Sequence, residues 1–269
     1  MNKHYKIIIA VIFLLIISFW IFHNFNKPKK LLKPKRIKPV STVVRGRIAI
    51  VLDDWGYNMT NLSTLSGIKT PITIAVLPNL PYSKQVAQVT LSQGYQVILH
   101  LPLESQSGER PEKDTLYCAM DEKEITQRLE AILNSVPGIS GVNNHQGSKA
   151  TEDARMMGII LSQLKKGNLF FLDSFTTSRS ICQKVARELG VKYARRDVFF
   201  DLPLSKLKND ELRIYIQGQL DKLGEVALKR GYAIGIGHDR KITLEGLRNA
   251  IPQLKKKGIK FVFLSELVR

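Results

Sequence analysis

Asp53 and Asp54 stand side by side at the end of the apolar run 48–52, and Trp55-Gly56 follows at once. Side chains alternate along a strand, so a buried strand that stops at two adjacent acids is expected to present one carboxylate on each face. One can hold a cation while the other takes a proton. Other apolar runs also stop at polar or titratable residues: 96–99 at His100, 139–142 at Asn143-Asn144-His145, 169–172 at Asp173-Ser174. The run 191–194 meets Arg195-Arg196-Asp197, and 233–236 leads to His238-Asp239. Imidazole nitrogen and carboxylate oxygen suit Zn²⁺ and its first-row neighbours, and a catalytic site uses about three such ligands with one position open. Asp54, His100 and His145 make such a set. Glu104, four residues after His100, is the weaker candidate, because Pro102 argues against a regular helix through that segment. With a cation acidifying water, Asp53 is the expected general base and His238 the general acid. Asp173 and Asn144 are expected to orient a histidine or hold substrate. Arg196 and Asp197 read as a sugar-binding pair or, equally well, as a structural ion pair. Trp55, Tyr57 and Phe175 are candidates to stack on sugar rings, with core packing as the equal alternative.

These residues need a scaffold that brings many strand ends to one rim. Short apolar runs at 48–52, 72–77, 96–99, 139–142, 169–172, 191–194, 233–236 and 260–264 alternate with amphipathic stretches at 82–92, 122–134, 151–165, 178–189, 212–230 and 243–257. This is the pattern of repeated βα units on a parallel sheet, and eight runs point to a barrel. Gly94, Gly167, Gly190, Gly231 and Gly258 sit where left-handed C-caps are expected, and Thr151 and Thr243 where N-caps are. In such barrels the C-terminal ends of the strands carry the active site.

Composition narrows the function. The chain has 269 residues and a net charge of +18, but residues 1–46 hold ten Lys or Arg and no acid, which leaves +8 for the rest. The folded part is only moderately basic, and no nucleic-acid partner is expected. There is no Gly-x-Ser-x-Gly, Gly-rich phosphate loop or His-Glu-x-x-His, so the serine-hydrolase, nucleotide-binding and zincin classes lose their usual support. A glycosidase is disfavoured because adjacent acids face apart rather than across a glycosidic bond. Residues 7–22 carry no charge and span about 24 Å, a little short of a bilayer core near 30 Å. Residues 1–24 are read as a signal anchor or signal peptide, uncleaved by preference because no small-x-small site follows. Residues 25–45 form a Lys/Pro-rich tether and 46–269 the catalytic domain. The basic tether opposes export on the positive-inside rule. An extracytoplasmic domain, in the periplasm or cell envelope and held at the inner membrane, is nevertheless expected. Cys118 and Cys182 are too few for a disulfide framework.

The assembled stretches resemble the divergent polysaccharide deacetylase family, a branch of the NodB-like carbohydrate esterases. They are 48–56 ending in Asp53-Asp54-Trp55-Gly56, Ala75-Val76-Leu77-Pro78-Asn79, His100-Leu101-Pro102-Leu103-Glu104, 141–148 with Asn143-Asn144-His145, Phe170-Phe171-Leu172-Asp173-Ser174 and Ile234-Gly235-Ile236-Gly237-His238. The resemblance covers about residues 46–269 and implies a distorted (β/α) barrel of seven to eight strands. It implies metal-dependent removal of an acetyl group from an N- or O-acetylated glycan, such as peptidoglycan or another envelope polysaccharide. The Asp-Asp motif then supplies the base, Asp53, followed by a metal ligand, Asp54. The family's His-x-x-x-His reads His100-x-x-x-Glu104 here, so His145 is expected to replace the second histidine. His238 matches the late acid, and the metal is expected to be Zn, with Co or Ni as alternatives. The alternative from a different class is a non-catalytic envelope protein that uses the same cleft to bind glycan or a partner.

Overall fold

The computed structural model describes residues 2–25, 43–106, 108, 110–202 and 207–269, so most of the expected tether at 25–45 lies outside the described residues. The chain divides into units 1–41 and 42–269. In the first, α1 (Lys3–Phe25) extends beyond the uncharged 7–22 stretch at both ends. Its 23 residues measure about 34 Å, and it is long and apolar enough to cross a membrane.

The second unit is a parallel sheet wrapped by helices. Its strands are β1 (Gly46–Trp55), β2 (Thr73–Val76), β3 (Gln96–Leu103), β4 (Gly141–Gln146), β5 (Phe170–Asp173), β6 (Tyr193–Arg195), β7 (Val198–Phe199), β8 (Tyr232–His238) and β9 (Ile259–Val262). The helices are α2 (Leu62–Ser66), α3 (Ser83–Ser92), α4 (Glu122–Ser135), α5 (Ala154–Lys166), α6 (Cys182–Leu189), α7 (Asn209–Arg230) and α8 (Lys241–Lys256). The strand order is β6-β5-β4-β3-β2-β1-β8-β7, with β9 against β1. β1 is the hub: it pairs with β8 from Arg47 to Asp53, with β9 at Gly46–Ala49 and with β2 from Val51 onward. β1 is buried on both faces. Ile48, Ile50 and Leu52 pack under the helices, while Ala49 and Val51 fill the barrel interior.

The sheet must curl. β6 and β7 end the strand order on opposite sides, yet only Arg196 and Asp197 separate them in the chain, which spans about 11 Å at most. Asp197 closes the seam: its N–H donates to the Ile234 carbonyl at 2.9 Å, its carboxylate accepts from the Ile234 N–H at 2.8 Å, and Arg230 neutralises it at 2.5 Å. Asp197 is therefore a seam residue paired with Arg230 rather than with Arg196. β7 is the strand that no apolar run announced, since two residues are too few to show a period. The result is a curled half-barrel with helices.

Local signals mostly hold. Gly94, Gly190, Gly231 and Gly258 adopt positive φ, but the turn after α5 uses Asn168 (φ 52°) instead of Gly167. The N-cap of α5 is Asp153, which accepts from the Met156 N–H, and Thr151 lies in a preceding 3₁₀ turn. Thr243 lies inside α8 with its hydroxyl committed to Asp201. Cys118 and Cys182 are free thiols.

Phe200, fully buried, lies against the helix-facing side of β8, where a Cβ on Gly237 would sit 2.1 Å from its ring. Gly237→Ala must displace that ring. It is expected to cost about 1–3 kcal/mol, measured as a lower urea midpoint at unchanged m-value.

Candidate active site

Because every strand is parallel, the β1, β3, β4 and β8 ends meet at one rim, around an open cleft of about 520 Å³. Asp53 continues the inward parity of Ala49 and Val51 and lies opposite His238 in the β1–β8 register. Strict alternation would send Asp54 to the other face. Instead Asp54 takes a left-handed conformation (φ 65°), and the β1–β2 register slips between Leu52 and Trp55. This bulge brings both carboxylates into the same cleft, correcting the expectation of one acid per face. Trp55 then faces the helix layer with no exposure and no hydrogen bond to its indole N–H, so it offers no face to a sugar.

Three donor atoms converge there. His100 Nε2 lies 3.2 Å from Asp54 Oδ1, His145 Nδ1 lies 3.1 Å from the same oxygen, and the two ring nitrogens are 3.1 Å apart. Neighbouring ligands of a tetrahedral ion at about 2.0–2.1 Å would be about 3.3 Å apart, so the set fits such an ion with little adjustment. The β3–β4 register explains it: Asn143 pairs with His100, and His145, two residues on, returns to the same face. Glu104 is elsewhere. Its carboxylate accepts from the Cys118 N–H at 2.8 Å and from Lys149 at 2.7 Å, because β3 stays extended and four residues of strand cover about 13 Å.

Asn143, fully buried, joins the two halves of the cluster. Its Nδ2 donates to Asp53 Oδ1 at 2.9 Å, which leaves its Oδ1 to accept from His100 Nδ1, also at 2.9 Å. His100 Nδ1 is thereby committed to Asn143, and Nε2 is the ring atom turned toward Asp54. Across the cleft, Asp201 has no exposure and accepts from His238 Nδ1 at 2.7 Å, from the His238 N–H at 2.8 Å and from Thr243. Asn143 and Asp201 are the important residues that sequence reasoning did not select. Asn143 was visible in the strand-end triplet beside the more conspicuous histidine. Asp201 follows the short apolar run Val198-Phe199-Phe200, a signal too brief to read as a strand end.

The electrostatics split the two acids. Burial raises the Asp53 carboxyl above its ordinary 3.8, although His100 and His238 pull it down. Burial also disfavours the Asp54 carboxylate, but hydrogen bonds from His100 and His145 prevail and hold it well below 3.8. For His100 the cost of burying charge is outweighed by Asp53 and Asp54, which raise it above 6.5. His238 follows the same logic with Asp201 and is pushed up to about 9.

Other expected residues take structural places. Asp173, fully buried, accepts from the Phe175 N–H, Ser180 and Tyr193; it bonds no histidine and does not line the cleft. Asn144 borders the cleft, but its amide is consumed by the Ser174 N–H and the Gln146 carbonyl. Arg196 does line the cleft: it donates to the Ser174 and Phe175 carbonyls and lies 3.8 Å over the Phe199 ring, which in turn stacks on His238. Phe175 also lines the cleft, under Arg195, whereas Tyr57 donates to Glu112 outside it.

A model of divergent polysaccharide deacetylases matches residues 50–268. The chain belongs to the divergent polysaccharide deacetylase family. It is 33% identical over 214 residues to the uncharacterised protein YibQ of Escherichia coli, covering 80% of this chain and 65% of that one, just under two thirds of the relative's length. An uncharacterised Haemophilus influenzae protein is 32% identical over 228 residues, covering 83% and 79% of the two chains. An uncharacterised Agrobacterium tumefaciens protein of known structure shares the fold, with a TM-score of 0.75 at 22% identity over 83% of this chain and 89% of that one. The Asp-Asp pair, His100, His145 and His238 all lie within the matched span.

Replacing Asp201 with Asn removes the charge that sustains the His238 imidazolium. The His238 pKa, followed by NMR titration, is expected to fall from about 9 toward the ordinary 6.5.

Proposed function

We propose that this protein is a metal-dependent deacetylase of an N- or O-acetylated envelope glycan such as peptidoglycan. The observation that carries the reading is the convergence of Asp54 Oδ1, His100 Nε2 and His145 Nδ1 beside a buried second carboxylate, Asp53, and opposite a histidine backed by its own buried acid. Asp54, His100 and His145 would hold a divalent ion, most naturally Zn²⁺, with Co²⁺ or Ni²⁺ also suited to this donor set. Such an ion, when bound, supplies Lewis acidity and lowers the pKa of a water toward about 7.

The chain's own residues do the rest. Asp53, made more basic by burial, takes the proton of the attacking water as its oxygen bonds to the acetyl carbon. His238 is charged at neutral pH, and Asp201 occupies its Nδ1, so Nε2 is the atom that donates. As the C–N or C–O bond breaks, that proton passes to the departing amine or alcohol and leaves free acetate. Asn143 keeps the base and the His100 ligand in register. Phe175, Phe199 and Arg196 line the cleft where a sugar would lie. The apolar α1 supports a signal or membrane anchor, and on the present reading it holds the domain at the inner membrane on the extracytoplasmic side.

Acetate release from acetylated chitooligosaccharides or peptidoglycan, measured with metal content across Zn²⁺, Co²⁺ and Ni²⁺, tests the reading. Metal bound without any release would favour the binding-protein alternative. His145→Ala is expected to lose the metal and Glu104→Ala to keep it. Asp53→Asn should retain metal and lose turnover, and Asn143→Ala should weaken metal affinity by about 10–100-fold.

The pH dependence has a definite sign. Ligation needs neutral His100, and its raised pKa lets protons compete from above 6.5, so metal affinity falls on acidification. Turnover is expected to drop at the alkaline side as His238 loses its proton near pH 9, and Asp201→Asn should move that limb to lower pH.

A further inference from the structure

The rim opposite the cleft is strongly basic. All strands are parallel, so every strand start and the C-terminal end of each helix that leads into a strand gather there. The strand starts contribute Arg45, Lys69, Lys192 and Lys260, all exposed and, among the described residues, in no ion pair. The ends of α5, α7 and α8 add Lys165-Lys166, Lys229-Arg230 and Lys255-Lys256-Lys257. Cations at helix C-termini are ordinary, because they complement the helix dipole. The strand-start cations have no such reason to be there. Among the described residues Glu130, Glu188, Glu225, Glu266 and the terminal carboxylate lie on or toward this rim without an ion pair, whereas Asp197 and Asp221 are paired with Arg230 and Lys257.

The charge is also shaped. At the seam a cavity of about 570 Å³ is lined by Arg187, Lys192, Arg195, Arg230 and Arg269, with the Tyr232 ring flanked by the Arg230 and Arg269 guanidinium groups at 4.3 and 5.1 Å. A second hollow of about 330 Å³ gathers Lys69, Lys255 and Lys260. The chain enters the barrel at this same rim, where β1 begins at Gly46.

We propose that the N-terminal rim docks on an anionic phospholipid surface, its two basic hollows receiving phosphate headgroups while the catalytic cleft faces away from the bilayer. Lipid is favoured over a soluble anion because the charge extends across the starts of β1, β2, β5, β6, β8 and β9, and because that rim is where the chain arrives from an apolar helix. Surface attraction of clustered Lys and Arg to anionic lipid acts within a Debye length, so direct apposition is required. The inference rests on the reading of α1 as a membrane anchor.

The test uses the full chain reconstituted into vesicles of phosphatidylcholine alone or mixed with phosphatidylglycerol. Flotation and amine labelling are read by mass spectrometry. Lys69, Lys192 and Lys260 should be labelled several-fold less in the anionic vesicles, with the difference lost in high salt. Lys113 and Lys123, on the cleft side, should be unchanged. A Lys255→Glu, Lys256→Glu, Lys260→Glu variant, checked for an unaltered denaturation midpoint, should lose the protection at Lys69 and Lys192. A chain that floats with both vesicle types but labels equally in each overturns the docking and leaves the anchor standing. Flotation with anionic vesicles only, with the rim protected, supports the docking and removes the anchor.

Discussion

Two carboxylates at the end of one buried strand are costly, and the residues around the cleft are arranged to make that burial tolerable. Unit charges about 4 Å apart interact by roughly 4 kcal/mol at an effective dielectric of about 20. A shift of one pKa unit needs only about 1.4 kcal/mol, so such neighbours decide which groups ionise. His100 touches both acids, at 3.2 Å from Asp54 and 3.6 Å from Asp53, while His145 serves Asp54 alone. The outcome is unequal: one acid is held as an anion among histidines, the other is left more basic under an asparagine. The division of labour proposed for the pair follows from that inequality.

The same constraint reaches into the backbone. A regular β1 would have pointed Asp54 away from Asp53, and the left-handed turn at Asp54 reverses this. A non-glycine residue held at positive φ is strained, so the surroundings must over-determine it. Here the His100 and His145 contacts do so, and they disappear if the bulge straightens. A second carboxylate–histidine unit, Asp201 with His238, is built separately across the β1–β8 register, and its short β7 strand is stitched to β8 by backbone bonds. The cleft is thus supplied by two small networks joined by the pairing of β1 with β8 and by the attraction of His238 for the two acids.

Charge is partitioned along the barrel axis. Parallel topology collects helix starts, with their capping acids Asp121 and Asp153, at the cleft end and helix termini with their lysines at the other. Nothing in the +8 of the folded part distinguishes this arrangement from a uniform basic surface. Sidedness is a property of the topology, and it gives the molecule an orientation relative to anything anionic.

The sequence by itself determined the βα alternation, the rim residues and the family, because buried parallel strands read as continuous apolar runs and their polar ends stand out against them. Asp53, Asp54, His100, His145 and His238 were legible in this way. What only the tertiary structure decided depends on contacts far apart in the chain. Whether His145 or Glu104 reaches Asp54 was settled by the register of β3 on β4, not by spacing along β3. Trp55, Asp173 and Asp197 read as site residues from their neighbours in sequence, yet strand parity and the seam turned all three into structural ones. Asn143 and Asp201 carry no signature of their own, since an amide or a carboxylate acquires its role only from what it faces, 43 residues away for His100 and 37 for His238.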